Sequence, residues 1–155
     1  MSGNPPAAVE GFVRKHRVAR LATVDERGRP HVVPICYAYS GGRLYTSLDL
    51  KRKAVAPERL RRVRNILANP QVQVLIDDYD EDWSQLAFVQ LRGSARVLSE
   101  GAEYRRALGL LKRKYLQYQA LPLAGRPLIQ ITVERTMAWG RLSPGTGGRS
   151  PSPGR

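Results

Sequence analysis

The stretch from residue 89 to 97 constrains this chain more than any other. Val89, Leu91, Gly93, Ala95 and Val97 alternate with Gln90, Arg92, Ser94 and Arg96. Successive side chains on a strand point to opposite faces, so the pattern predicts a strand with one buried and one wet face. Ile129, Ile131 and Val133 alternate in the same way with Gln130, Thr132 and Glu134. They predict a last strand running toward Trp139.

The other elements fall around these two. A short helix to about Lys15 packs Val9, Phe12 and Val13. Residues 18–24 read as a strand, closed by the turn Asp25-Glu26-Arg27-Gly28, with Gly28 where a positive φ is expected. Residues 31–39 (HVVPICYAY) are almost continuously apolar, which predicts a strand covered on both sides. Pro34 inside it removes a ladder donor and marks an edge or a bulge. Ser40-Gly41-Gly42 then turns the chain into a strand over residues 44–48. A helix from near Pro57 places Leu60, Val63, Ile66 and Leu67 on one face, ends at Asn69-Pro70, and leads into a strand over residues 72–76. A helix over about residues 100–118 carries Tyr104, Ala107, Leu108, Leu111, Tyr115 and Tyr118 on one stripe. Six strands with meander turns and interspersed helices predict an α+β, mainly β fold: a small antiparallel barrel with helical covers. Residues 1–142 form one domain in this reading, and the Pro/Gly/Ser-rich residues 143–155 form a disordered tail.

Charge narrows the partners. Lys and Arg number 26 against 13 Asp and Glu, a formal net charge of +13. That excess favours polyanions or a multiply charged small molecule. It is uneven, because Asp77, Asp78, Asp80, Glu81 and Asp82 form a compact acidic patch. Between residues 51 and 64 there are seven Lys or Arg, opposed only by Glu58. This run follows the hydroxyls of Thr46 and Ser47, an arrangement suited to a phosphate-bearing ligand, since Lys and Arg make charge-assisted bonds to phosphate. The bland alternative is a solvated basic surface.

Other chemistry is poorly served. His16 and His31 are isolated, and no Cys/His spacing fits zinc. The acidic patch lacks the central Gly and final Glu of an EF-hand loop, so no metal is expected. Cys36 excludes an internal disulfide and reads as a small core residue rather than a nucleophile. No G-x-S-x-G or P-loop pattern is present. The N-terminal residues show neither a signal peptide nor a membrane span, which makes the cytoplasm the default compartment. An enzyme of this composition would rely on a cofactor for its chemistry.

An ordered set of motifs carries a family resemblance: A-T-x-D-x-x-G-x-P-H-x-x-P, then K-x-K, R-N-I-x-A-N-P, D-x-D-W and finally W-G. Over about residues 10–142 the chain resembles the pyridoxamine-phosphate-oxidase-like split-barrel flavin and deazaflavin oxidoreductases, most closely the branch dependent on coenzyme F420. The resemblance implies an FMN-binding type of split barrel and a homodimer, with the cofactor ring across the barrel at the interface. It implies that Val33, Pro34 and Ile35 line the ring, that Thr46 and Ser47 contact ring and ribityl chain, and that Lys51 and Lys53 reach the phosphate with Arg62 as helper. Trp83 and Trp139 match aromatic positions that wall the ring or substrate pocket, or else pack in core or interface. The family often has Pro between the two lysines; here it is Arg52, which adds charge.

The cationic run exceeds what the single phosphate of FMN needs, whereas F420 carries a phosphodiester, a lactyl carboxylate and a polyglutamate tail. The expected function is therefore hydride transfer from F420 to a small organic substrate, with FMN as the alternative cofactor. Tyr37, Tyr39 and Tyr45 are candidates for delivering the proton. A cofactor carrier without turnover shares every one of these features. A nucleic-acid module competes only through net charge, since the basic helix has no interleaved aromatics and no groove-reading motif.

Overall fold

The structure is a computed structural model, and it describes residues 5–48, 56–121 and 123–143. Lys51 and Lys53, with the rest of the basic turn, lie outside the described residues, and so does the expected tail from residue 144 onward.

The chain order is α1 (Ala7–Lys15), β1 (Ala19–Val24), β2 (Pro30–Ile35), β3 (Ala38–Ser40), β4 (Arg43–Ser47), a 3₁₀ turn (Pro57–Arg59) and α2 (Arg61–Ala68). It continues with β5 (Gln71–Asp78), a second 3₁₀ turn (Trp83–Gln85), β6 (Ala87–Leu98), α3 (Gly101–Lys114), α4 (Gln117–Ala120) and β7 (Leu128–Gly140). The strands form one antiparallel sheet in the order β2-β1-β5-β6-β7-β4-β3. This is the expected split-barrel arrangement, with seven strands in place of six.

The extra strand comes from the apolar run at residues 31–39. It breaks at Cys36 and Tyr37, so β2 ends one edge of the sheet and β3 the other. β2 is not covered on both sides: Val33 and Ile35 turn inward, whereas Val32 and Pro34 are exposed. Pro34 therefore sits on an edge strand, where its missing N–H costs no ladder bond. The break is held by Tyr115, whose hydroxyl accepts from the backbone N–H of Tyr37 (2.9 Å) and lies 2.8 Å from that residue's carbonyl oxygen.

Three further expectations change. The segment beginning at Pro57 is a 3₁₀ turn first, and α2 starts only at Arg61. Asn65 faces the core in place of Leu67, which is exposed, because Asn65 donates to the hydroxyl of Thr23 on β1 (3.0 Å). The long helix stops at Lys114, and Tyr115 closes it before the short α4. Gly28, Gly41 and Gly42 have the positive φ values their turns require.

The inward sheet face, with α1 and α2 against it, forms the main core around Leu21, Val74, Ile76, Val89, Leu91 and Ile131. A second cluster lies on the opposite face, where α3 packs Tyr104, Leu108 and Leu111 against Leu98 and Leu128. Between β6 and β7 the register shifts at Arg92 and Gly93, leaving Glu134 as the extra residue of a β-bulge. On the α3 side of this bulge the outer face is covered. Beyond it, across β2, β1, β5 and the far ends of β6 and β7, no element among the described residues covers the outer face, the bare face below.

Gly93 is buried at the bulge. A Cβ there would overlap the backbone carbonyl of Thr132 on β7. Gly93→Ala is expected to lower stability by about 1–3 kcal/mol, the scale of a forced overpacking, as measured by chemical denaturation.

Candidate functional site

Two regions gather functional chemistry. The first is the corner where the inner face of β2 meets the start of α2. His31 pairs in register with Thr23, and Thr23 holds Asn65 of α2. This anchors the first turn of α2, with Arg61 and Arg62, beside His31. No side chain caps the helix there, so its leading N–H groups and dipole favour an anion. The His31 Nδ1 atom is buried with no hydrogen-bond partner. Burial and then the positive charges of Arg61 and Arg62 hold the His31 pKa below its ordinary value of 6.5. Such a corner is electropositive, with a neutral imidazole at neutral pH.

The second region is the bare outer face. Trp139, which the residue pattern alone left open as core or pocket wall, is 54 % exposed and stacks on Phe88 at 5.8 Å between ring centroids. Trp83 is 72 % exposed, in the turn before β6. Neither belongs to the core. Val32 and Met137 are also exposed here, while Arg20 pairs with Asp77 at 2.5 Å. Two shallow grooves, of about 400 Å³ and about 310 Å³, cross this face.

The expected site residues are thus distributed. Val33 and Ile35 point toward the main core and Pro34 toward the bare face, so these three side chains do not line one surface. Thr46 is buried, and its hydroxyl donates to the Cys36 carbonyl (2.8 Å). The Ser47 hydroxyl donates to that of Tyr118 (2.8 Å). Arg62 is half-buried at the start of α2. The candidate proton donors are all engaged in the interior. Tyr37 donates to the Val13 carbonyl and Tyr45 to Glu103, and burial raises the pKa of Tyr37, Tyr39 and Tyr45. None of them reaches the bare face.

Sequence reasoning placed Arg61 in the basic run but missed His31 as a member of the corner. It also missed Arg92 and Arg135 as neighbours on the bare face. The signal for the latter was present, because the wet positions of the two alternating strands are where an outer face gets its side chains. The acidic patch is a set of local bonds rather than an open cluster. Asp78 bonds His16 at 2.6 Å, Asp80 accepts from the Asp82 N–H, and Asp82 caps the turn at Ser84.

The model of the pyridoxamine 5'-phosphate oxidase family matches residues 5–140. The chain belongs to this family. A curated relative, the 5a,11a-dehydrotetracycline/5a,11a-dehydrooxytetracycline reductase of Streptomyces rimosus, is 26 % identical over 130 residues, covering 83 % of this chain and 78 % of the relative. Among solved structures, a conserved hypothetical protein of Mycobacterium tuberculosis superposes with a TM-score of 0.72 at 21 % identity, over 96 % of this chain and 94 % of that one. HutZ, the haem storage protein of Vibrio cholerae, superposes with a TM-score of 0.67 at 16 % identity, over 87 % and 93 %. At these identities both structures bear on the fold alone. No helix among the described residues is long and apolar enough to cross a membrane.

The depressed His31 pKa has a sign. The unfolded chain binds a proton at His31 more readily than the folded one, so stability drawn from this residue is present above the unfolded value of 6.5 and declines as pH falls below it. His31→Gln is expected to remove that part of the acid loss, read as a flatter denaturation midpoint between about pH 7 and pH 5.

Proposed function

We propose that the protein is an oxidoreductase that binds F420 and delivers hydride from it to a small organic substrate. The observation that carries this reading is the electropositive corner at the start of α2, where Arg61 and Arg62 lie beside the unpartnered His31 nitrogen. A phosphate fits the corner: two guanidinium side chains, an uncapped helix start and an unpartnered imidazole nitrogen converge on it. Lys51 and Lys53 precede this corner in the chain and would add to its charge. Membership of a family named for a phosphate-ester oxidase and similarity to a reductase support the redox assignment.

When bound, the deazaflavin ring supplies the two-electron hydride. The chain's own part is to bind and orient. Arg61 and Arg62 hold the phosphate, with charge-assisted bonds that are shorter and stronger than neutral ones. The exposed rings of Trp83 and Trp139 offer flat apolar surfaces to ring or substrate. Because the strand tyrosines are committed inside, the proton comes from solvent or from the substrate's surroundings. FMN is the alternative cofactor, and a carrier without turnover is the alternative role.

A homodimer belongs to the same proposal. Val32, Met137 and Trp139 are each more than half exposed on one contiguous sheet face, and monomers seldom leave such patches open. A two-fold pairing of this face is the simplest way to cover it.

Titration of the purified protein with F420 and with FMN tests the cofactor. Tight FMN binding without F420 binding would overturn the leading choice. Arg62→Ala and Lys53→Ala are each expected to weaken cofactor binding by about 1.5–3 kcal/mol, about one to two orders of magnitude in affinity. Arg155→Ala, in the tail, is the control for general charge. Sedimentation is expected to show a dimer at micromolar concentration.

A further inference from the structure

His31 stands on β2, the strand that ends the sheet, and its half-buried ring is turned to the inner face, away from the bare one. On that face β1 sets Ala19, Leu21 and Thr23, none of them charged. From α2, Arg61 and Arg62 act on the ring, and after burial their positive charges are what push its pKa down. The 3₁₀ turn ahead of α2 carries Glu58 and Arg59, both exposed, and neither contributes to that shift. At the hairpin joining β1 to β2, Asp25 is already bonded to the Arg29 side chain (2.7 Å) and to the backbone N–H groups of Arg27 and Arg29. Among the described residues, then, no carboxylate answers the positive charge that the ring feels.

The Nδ1 atom of His31 is nevertheless buried with no hydrogen-bond partner. A buried polar atom left unpaired is costly. Protonating the free ring would make matters worse, because it adds a third positive charge beside two others in a partly desolvated place. An anion resting on Arg61 and Arg62 reverses that balance. It offsets their charge, and it offers an acceptor to an Nδ1–H.

We propose that His31 is the proton-coupled member of this corner: an anion held by Arg61 and Arg62 draws a proton from solvent onto the imidazole, whose Nδ1–H then donates to the anion. The inference rests on the reading of the corner as a phosphate site and adds that binding and protonation strengthen each other. Linkage fixes the sign. The free ring titrates below 6.5, and the anion-bound ring titrates higher. Affinity therefore rises as pH falls from the bound value to the free one, and levels off beneath it. At higher pH the ring is neutral in both states and pH has no effect through it.

Sulfate serves as probe, because it stays a dianion between about pH 5 and pH 8 and adds no titration of its own there. The chain has two histidines. His16, near the other end of β1 and bonded to Asp78 at 2.6 Å, is the internal reference. With the imidazole resonances of the full chain followed by NMR at fixed ionic strength, replacing chloride by sulfate is expected to move the His31 titration to higher pH and to leave the His16 resonances as they are in chloride. Sulfate affinity should be about tenfold greater at pH 5 than at pH 8, the lower end of what an opposite charge close to an ionisable group does. His31→Gln should abolish that difference, whereas Arg61→Gln should weaken sulfate binding at both pH values. Glu58→Gln should leave the difference in place; its loss there would make Glu58 the counter-ion and overturn the proposal. A His31 titration unmoved by saturating sulfate, or a pH dependence that survives His31→Gln, would overturn it too, and would leave the phosphate corner standing. Sulfate that fails to saturate would overturn both. Sulfate that moves His31 in a protein binding neither F420 nor FMN would support the proton coupling and overturn the cofactor assignment alone.

Discussion

Between β6 and β7 the backbone pairing runs from Leu98–Leu128 to Ala87–Gly140 and is interrupted once, where Glu134 is left over. These two strands join every other part of the sheet, with β5 and β1 on one side and β4 on the other. Before the interruption, Leu98, Leu128 and the buried Gln130 lie under α3. After it, Arg92, Gln90 and Phe88 face outward with Arg135, Met137 and Trp139. A one-residue slip sends side chains to the opposite face, so the bulge lets one strand serve both a covered half and a bare half. Gly93 makes it possible, because only a residue without Cβ fits against the Thr132 carbonyl.

The polar network on the covered side pairs its charged groups with one another. On the covered side, Glu103 receives Arg43 at 2.6 Å, Arg96 at 2.7 Å and the Tyr45 hydroxyl, and Arg96 also bonds the buried Gln130. Lys114 donates to the His16 carbonyl and sits 4.1 Å from the centre of the Tyr37 ring. Burial there depresses its pKa to about 8. The charged groups named on that side have partners within the chain. The unmatched guanidinium groups Arg92 and Arg135 lie on the opposite surface, near the aromatic rings. Both are solvent-exposed, so water rather than the chain solvates them.

Much of the fold was legible in local pattern. The alternation at residues 89–97 and 129–133, the turn at Asp25–Gly28, the Gly41-Gly42 turn and the buried residues Val9, Phe12 and Val13 of α1 all stand where the sequence put them. The run at residues 31–39 misled, because continuous apolar character does not distinguish a strand covered twice from an edge strand followed by a break. The Leu67 face of α2 misled for a related reason: a buried amide at Asn65, satisfied by Thr23, outcompeted a leucine for the inward position. Of the candidate site, Arg61, Arg62 and the two tryptophans were visible in sequence, whereas His31 became part of a site only through the packing of α2 against β1.

By itself the sequence determined which residues share a strand face, where the turns fall and that positive charge is in excess. These properties are local: they follow from a two-residue period, from glycine's freedom at positive φ and from composition. Family membership is also written in it, since the ordered motifs extend along nearly the whole chain. Only the tertiary structure decided which of two exposed sheet faces stays bare, because that depends on where α3 lands, far along the chain from the strands it covers. It also decided that Arg92 meets Arg135 across a ladder whose partners are about forty residues apart in sequence. That register rests on one inserted residue, and a pairing between distant strands has no signature within either strand alone.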